Sequence, residues 1–165
     1  SNDAAYAIAE SFENGEPRTN PEGIVRGEQG FVNEMQKKAA DLKMFSTSYL
    51  EPTGLSFVNQ STADDLSKLI DYIYLNHPEI LKISKQTEAQ IMEIISGKWR
   101  RLSNIDKFAG DADFTGGKTG FIDEAGRNLI ALFNIDDRII LTITLGSNDA
   151  FTDTEKLKNL VEGCQ

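Results

Sequence analysis

The sequence predicts an α+β fold, in which a helical region is followed by antiparallel β-strands and a C-terminal helix. In the first part of the chain, apolar residues recur at the spacing of a helix face. The last third changes character, because the apolar runs 129–133 and 139–145 are separated by the pair Asp136-Asp137. The chain has 165 residues, a length that fits one domain. We therefore expect a single domain, with a helical region to about residue 110 and the sheet with its closing helix over about 111–165.

Three helices are predicted in the helical region. The first covers Asn2 to Phe12 and the second about Glu28 to Lys43, because each carries one apolar stripe. The third begins after Ser61, which we interpret as the N-cap of a capping box, and ends before Pro78. Residues 14–27 contain turn formers without a period and are interpreted as a surface loop.

The elements that follow are shorter. A short helix is predicted over Pro78 to Ser84, and a hairpin is predicted around Ser96-Gly97. The two apolar runs then predict adjacent antiparallel strands. After them, Thr152 and Glu155 form a capping box that predicts the closing helix.

The composition excludes several kinds of partner. The formal net charge of −9 repels phosphate backbones and anionic headgroups, so we expect no nucleic acid. His77 is the only histidine and Cys164 the only cysteine, so we expect no multi-histidine or thiolate metal site and no cofactor. No stretch of the sequence reaches the roughly 18 apolar residues of a membrane-spanning helix.

The most informative stretch is Gly116 to Phe121, where Lys-Thr-Gly stands just before the two apolar runs. One interpretation is a glycine-rich turn with an exposed lysine. A second is a phosphate-binding loop, because Ala112 to Thr119 satisfies a permissive form of that pattern. Such a loop needs a buried strand before it and a helix after it, whereas here acidic residues come before it and a strand is predicted after it.

A third interpretation places Lys118, Thr119 and Gly120 on an edge strand that faces a cleft. An ammonium and a hydroxyl side by side can hold a substrate carboxylate through charge-assisted hydrogen bonds. The glycines of this stretch would let a substrate backbone approach closely, and the amide of Phe121 would serve an oxyanion hole. Such a strand binds and polarises a substrate, but a serine with a neighbouring base is still needed for attack.

Six short pieces of the sequence occur in an order that a known family shares, from the first residues to about position 146. They are Asn2-Asp3-Ala4-Ala5, Phe31-Val32-x-x-Met35, Pro52-Thr53-Gly54-Leu55, Ser61-Thr62-Ala63-x-Asp65-Leu66, Gly117-Lys118-Thr119-Gly120-Phe121 and Ala125-Gly126-x-Asn128-Leu129. With these pieces the sequence resembles the low-molecular-mass penicillin-binding proteins. These are serine-type D-alanyl-D-alanine carboxypeptidases of the β-lactamase/transpeptidase-like superfamily.

Members of that family carry three motifs in chain order: Ser-x-x-Lys with the nucleophile and its base, Ser-x-Asn, and Lys-Thr-Gly. No serine of this sequence has a lysine three residues on, so the chain offers no nucleophile and base of this kind. The second motif is matched with Ser1 at its middle position and Asn2 at its asparagine. Tyr74-x-Asn76 imitates a variant of this motif, but we interpret it as coincidence on a helix stripe, and His77 as a helix-end residue.

The resemblance implies a carboxypeptidase that trims peptidoglycan stem peptides through an acyl-serine intermediate. It implies that Lys118, Thr119 and Gly120 bind the terminal carboxylate, that Asn2 hydrogen-bonds the substrate amide, and that the Phe121 amide completes the oxyanion hole. The implied partners are stem peptides ending in D-Ala-D-Ala and, with a Ser-x-x-Lys segment present, β-lactams. The implied location is extracytoplasmic, in the periplasm or cell envelope.

The same resemblance implies that the chain is the C-terminal part of that fold, a single partial domain that is inactive alone. We expect uncovered apolar surface to drive self-association or pairing with the missing N-terminal segment. Two other interpretations stay open. One is a non-catalytic relative that binds peptidoglycan or another protein. The other is a class A β-lactamase, which is disfavoured because the sequence has no Glu-x-x-Leu-Asn segment.

Overall fold

The structure, a computed structural model, describes residues 2–11 and 27–162. The predicted α+β class is confirmed, since helices precede an antiparallel sheet and a last helix follows it. The elements in chain order are α1 (Asn2–Glu10), α2 (Gly27–Asp41), α3 (Ala63–Asn76), α4 (Pro78–Ser84), β1 (Glu88–Met92), β2 (Trp99–Ser103), β3 (Phe114–Ile122), β4 (Gly126–Ile135), β5 (Arg138–Ser147) and α5 (Ala150–Glu162).

The chain divides into two compact units, residues 1–71 and 72–165. The division falls earlier than the change of character predicted near residue 110, because α4 packs against β3 in the second unit. The single partial domain stays a prediction. The predicted loop at 14–27 lies outside the described residues except for Gly27, which begins α2. Ser1, Phe12 and Cys164 also lie outside the described residues.

In the first unit, α1 packs against α2 and buries small and flexible apolar side chains. The buried ones include Ala9 on α1, Val32 and Ala39 on α2, and Met44 just after α2. Ala9, Val32 and Ala39 come from the apolar stripes that predicted the two helices, so the helical period places them on the facing sides.

The start of α3 differs from the prediction by one residue. Thr62, not Ser61, is the N-cap, because the Asp65 amide donates a hydrogen bond to Thr62 Oγ1 at 3.2 Å. The Ser61 hydroxyl instead lies 2.8 Å from the Thr47 hydroxyl. The shift turns Asp65 inward, where its carboxylate accepts hydrogen bonds from the Ser46 amide, the Thr47 hydroxyl and the Lys68 ammonium. The hydrogen bonds between Asp65 and the segment after α2 therefore determine which hydroxyl caps the helix.

The second unit is built on the antiparallel sheet β3-β4-β5. The two predicted apolar runs are confirmed as β4 and β5, and they are joined by Asp136 and Asp137, whose φ angles of 50° and 59° fit a tight hairpin turn. On β4 every second residue from Leu129 to Ile135 is buried. That face forms the core with three aromatic rings and residues of β4 and α5: Phe108, Phe114, Phe133, Leu129, Ala131, Ile135 and Ala150.

The start of α5 also corrects the prediction. The helix begins at Ala150, and Asp149 caps it by accepting hydrogen bonds from the Thr152 amide and hydroxyl. Thr152 is therefore a first-turn residue and not the cap, because the carboxylate of Asp149 satisfies the free amides of that turn. The helix packs on β4 and β5.

The hairpin predicted around Ser96-Gly97 is confirmed as β1 and β2, which pair from Glu88 with Ser103 to Met92 with Trp99. Every residue of both strands is exposed. We call β1, β2 and the turn between them the β1–β2 hairpin. The short helix predicted over Pro78 to Ser84 is confirmed as α4.

Within residues 2–11 and 27–162, no helix is both long and apolar enough to cross a membrane. In the same residues, no group of three or more histidine, cysteine, aspartate or glutamate side chains is arranged to hold a metal ion.

Candidate functional site

Lys118, Thr119 and Gly120 lie in the middle of β3, which is an edge strand of the described sheet. The predicted edge-strand placement is therefore confirmed. The phosphate-loop interpretation is wrong, because Lys118 and Thr119 sit inside a strand that continues to Ile122 and is followed by another strand, not by the helix that such a loop requires. The glycine-rich turn is wrong for the same reason.

The free edge of β3 presents backbone groups of alternate residues. The Gly117 amide points away from β4, because it donates a hydrogen bond to Ser84 Oγ of α4 at 3.1 Å. Amide direction alternates along a strand, so the Thr119 and Phe121 amides point toward the same free edge. The two amides are the donors that this edge offers to an anionic oxygen beyond the part that α4 covers.

The Lys118 side chain is exposed, and its ammonium donates a hydrogen bond to the Thr119 carbonyl. That carbonyl lies on the free edge, so the cation is held beside the outward-pointing amides. Thr119 is half-buried on the other face of the strand. A cation, a hydroxyl and two outward amides thus occur within four residues of one strand, Lys118 to Phe121.

The glycines of β3 differ in why a side chain is absent at each position. A Cβ at Gly116 would stand 2.8 Å from the Leu81 carbonyl oxygen, and one at Gly117 would stand 2.5 Å from the Ile130 carbonyl oxygen. Both glycines are therefore required by packing within the chain. At Gly120 a Cβ would meet only the Asn128 Cβ at 3.8 Å, which leaves the surface above Gly120 open to a close approach from outside.

Asp106 lies beneath β3, and the sequence analysis did not single it out. Its side chain is buried at 7% exposure. Oδ1 accepts a hydrogen bond from the Phe108 amide at 3.1 Å, whereas Oδ2 has no hydrogen-bond partner among the described residues. Burial raises the pKa of this carboxyl group, which the Phe108 amide and the Lys118 ammonium partly offset. No sequence period marks this aspartate, so only the fold identifies it.

Asn104 attaches the end of α4 to the segment before β3. Its amide nitrogen donates hydrogen bonds to the Ser84 carbonyl at 2.7 Å and to the Gln86 carbonyl at 2.8 Å. Its side-chain oxygen accepts from the Asp106 amide at 3.0 Å. Ser84 is the residue that contacts the Gly117 amide, so Asn104 helps to position α4 against β3.

Phe121 ends the candidate stretch with an exposed ring, and the Arg127 guanidinium lies over it at 4.7 Å from the ring centroid. Asn2, the other predicted site residue, is exposed and begins α1 in the first unit. Asn76 donates a hydrogen bond to the Tyr72 carbonyl within the last turn of α3. His77 lies between α3 and α4, with its ring nitrogens near Tyr72 Oη and Glu79 Oε1. The prediction that His77 is a helix-end residue is confirmed.

An antiparallel sheet whose edge strand carries Lys-Thr-Gly, with a C-terminal helix on its face, defines the class of the penicillin-binding, transpeptidase-like proteins. The fold agrees with the solved structure of the Streptomyces K15 DD-transpeptidase, at a TM-score of 0.81 and 22% identity, over 95% of this chain and 61% of that one. It also agrees with penicillin-binding protein D2 from Listeria monocytogenes in its cefotaxime-bound form, at a TM-score of 0.68 and 30% identity, over 78% and 53% of the two chains.

Within that class, the chain belongs to the D-alanyl-D-alanine carboxypeptidase family, whose model matches residues 1–149. The D-alanyl-D-alanine endopeptidase of Escherichia coli is 30% identical over 143 residues, which are 82% of this chain and 45% of that protein. The endopeptidase of the same name from Haemophilus influenzae is 36% identical over 103 residues, 61% of this chain and 34% of that protein. The chain spans less than half the length of these curated relatives.

Proposed function

We propose that β3 is the carboxylate-binding strand of a peptidoglycan DD-peptidase. In this proposal Lys118 and Thr119 hold the terminal carboxylate of a stem peptide ending in D-Ala-D-Ala, and Gly120 lets the peptide backbone approach. The observation that carries the proposal is the exposed Lys118 ammonium, held at a free strand edge beside outward-pointing amides. The family supports it, because its members are described as D-alanyl-D-alanine carboxypeptidases.

The reaction assigned to this site is acyl transfer. A serine attacks the carbonyl between the two terminal D-alanines and a lysine takes its proton. That proton passes to the amine of the leaving D-alanine, so that an acyl-serine remains, and water then hydrolyses the acyl-serine to release the shortened peptide. The Phe121 amide, which points to the free edge, is one of the two donors that stabilise the tetrahedral oxyanion. Asn2 is assigned the hydrogen bond to the substrate amide. No serine of the 165 residues has a lysine three residues on, so the proposal takes the nucleophile and base from a Ser-x-x-Lys segment outside them.

The choice between a carboxypeptidase and an endopeptidase depends on whether the bound peptide ends in a free carboxylate at the site. A cation on the strand edge favours a peptide that ends in a free carboxylate, whereas the curated relatives are named endopeptidases. We therefore assign a peptide with a free C-terminus as the substrate. β-Lactams, which carry a carboxylate next to a reactive amide, are assigned to the same strand when the nucleophile is present.

The outer edge of β5 supports a proposal about association. β5 has ten residues and pairs on one side only, with β4, among the described strands. Exposed strand edges of this length recruit another strand. We propose that a complementary segment of a longer protein, similar to the relatives, pairs with the outer edge of β5. Self-association of this chain through that edge would be the contrary outcome. The proposed location outside the cytoplasm rests on the family alone.

A second candidate function is a non-catalytic module that binds peptidoglycan. It predicts the same peptide binding without any catalytic partner. The coding sequence immediately before Ser1 separates the two, because a Ser-x-x-Lys there supports the peptidase and its absence supports the module.

Peptide binding tests the role of the strand. A peptide ending in D-Ala-D-Ala and its C-terminal amide are titrated into the ¹⁵N-labelled chain, and amide shifts of β3 are followed. We expect shifts with the free carboxylate and much weaker ones with the amide. Lys118→Gln should remove the preference, whereas the matched exposed control Lys82→Gln should keep it. Equal binding of both peptides would contradict a carboxylate-binding strand.

Acylation tests the nucleophile separately. The chain is incubated with a fluorescent penicillin, denatured and examined for covalent label. Loss of the nucleophile from a comparable serine hydrolase costs about six orders of magnitude in rate, so we expect no labelled band. A labelled band would show that some other serine of this chain attacks.

A further inference from the structure

The turn of the β1–β2 hairpin exposes large apolar side chains. Ile94 is 93% exposed and Ile95 is 100% exposed, and Trp99 at the start of β2 is 68% exposed. Met92, which pairs across the strands with Trp99, is exposed as well. Single exposed apolar residues are ordinary, but a contiguous group at the end of an exposed ribbon indicates a contact surface.

The hairpin is closed by its own hydrogen bonds, and no other part of the described chain buries its strands. The turn is closed by the Gly97 amide, which donates to the Glu93 carbonyl at 2.8 Å, and by the Glu93 amide, which donates to the Lys98 carbonyl at 2.9 Å. Both faces of the ribbon are exposed along its whole length. An isolated two-stranded hairpin is only marginally stable in water, so burial of its apolar end in another phase would stabilise it.

The charge of the hairpin is opposite to that of the chain. Residues 88–103 carry three basic and two acidic side chains, whereas the whole chain has a net charge of −9. Arg100 pairs with Glu93 at 3.0 Å and Arg101 pairs with Glu88, yet both arginines stay mostly exposed. Lys98 stands in the turn beside the isoleucines. The apolar end is therefore bordered by Lys98 and by the ion pair between Arg100 and Glu93.

The length of the hairpin determines which charged residues lie near a surface that contacts its tip. Five strand residues extend about 17 Å, whereas the Debye length at physiological ionic strength is about 8 Å. A surface in contact with Ile94 and Ile95 is thus largely screened from charges at the base of the hairpin and lies nearest to the charged residues beside the turn.

We propose that the tip of the β1–β2 hairpin docks on an anionic lipid bilayer. Ile94, Ile95 and Trp99 enter the boundary between headgroups and acyl chains, where tryptophan is enriched. Lys98, Arg100 and Arg101 contact the lipid phosphates. The isoleucines favour a bilayer over a purely polar polyanion, which offers nothing apolar to bury them. This inference does not depend on the function proposed for β3.

The chain carries its own probe, because Trp99 is its only tryptophan. The fluorescence of the complete chain is recorded during titration with vesicles of phosphatidylglycerol mixed with phosphatidylcholine, and with vesicles of phosphatidylcholine alone. We expect the emission maximum to shift to shorter wavelength with the anionic vesicles, and the shift to weaken with added salt. Co-sedimentation with the same vesicles measures the partition coefficient independently.

Variants separate the apolar and the basic contributions. Ile94→Ser with Ile95→Ser should weaken partitioning at least tenfold, since two isoleucines no longer leave water. Lys98→Gln should weaken it about fivefold in anionic vesicles. The matched control, Phe45→Ser with Leu75→Ser, removes two other highly exposed apolar side chains and should leave partitioning unchanged. Unchanged circular dichroism shows that each variant stays folded.

Two results would overturn the proposal. The first is equal partitioning of the wild type and the double isoleucine variant, which would place the membrane contact elsewhere. The second is no shift of Trp99 emission with anionic vesicles. If sedimentation then showed self-association that the double isoleucine variant lacks, the tip would be a protein interface instead.

Discussion

The unpaired carboxylate oxygen of Asp106 lies 3.2 Å from the position that a Cβ on Gly117 would occupy. A buried acid thus lies directly beneath the strand that carries the candidate lysine. The absence of a side chain at Gly117 makes room for it, and the neighbouring Ile130 carbonyl closes the same space. Asp106 and Gly117 therefore bear on both the stability of β3 and the chemistry of the strand surface that carries Lys118.

Asp106→Asn should stabilise the chain at neutral pH by about 1 kcal/mol, because it removes a buried charge that lacks a full set of partners. Asn keeps an oxygen that can accept the Phe108 amide. Burial raises the folded-state pKa of Asp106, so its contribution to stability is present below the unfolded pKa and is lost as pH rises through the folded pKa. Urea unfolding at pH 7 and below pH 4 should show the gain only at pH 7.

The control for this prediction is Asp111→Asn, which changes an exposed acid close by. It should leave the free energy of unfolding nearly unchanged at both pH values. A less stable Asp106→Asn variant at pH 7 would show that the carboxylate makes a favourable contact.

Gly117→Ala and Gly120→Ala form a matched pair on one strand. At Gly117 the added Cβ would stand 2.5 Å from the Ile130 carbonyl oxygen, so we expect a loss of about 1–3 kcal/mol of stability. At Gly120 the nearest atom is 3.8 Å away, so the chain should remain as stable as the wild type. Thermal unfolding measures both. Under the proposed function, only Gly120→Ala gives a fully folded chain with weakened peptide binding.

Asp65→Ala should destabilise the first unit much more than Asp64→Ala. Both carboxylates pair with Lys68, but Asp65 is buried and also holds the Ser46 amide and the Thr47 hydroxyl, whereas Asp64 is exposed. Burial alone would raise the pKa of Asp65, but the hydrogen bonds from Lys68, Thr47 and Ser46 outweigh it and lower the pKa. This stabilisation is therefore present above the unfolded pKa and is lost as pH falls through the folded pKa. Comparable melting temperatures for the two variants would contradict this role.

Asn104→Ala should loosen α4 from β3. Three hydrogen bonds of one side chain are lost, so we expect a cost of about 1–3 kcal/mol. Hydrogen exchange should quicken at the Gly117 amide, which depends on Ser84 for its partner. The exposed Asn134→Ala serves as the control and should leave that amide protected.

Much of the fold follows from local patterns. The apolar stripes predicted α1, α2 and α3, and the runs around Asp136-Asp137 predicted β4 and β5 with their turn. The errors were at helix starts, where Thr62 and Asp149 are the caps in place of Ser61 and Thr152. Several nearby residues have side chains that can cap, and the choice among them depends on contacts with distant parts of the chain.

The order of six short motifs was sufficient to predict the family, and the two apolar runs around Asp136-Asp137 were sufficient to predict β4 and β5, the strands beside the one that carries Lys118. Only the tertiary structure decided that Asp106 is buried beneath Gly117, that α4 covers one part of the β3 edge, and that the β1–β2 hairpin is exposed on both faces. The physical reason is that periodicity records which side of an element faces a core. The burial of one charge or the exposure of one ribbon depends on which distant segments meet there.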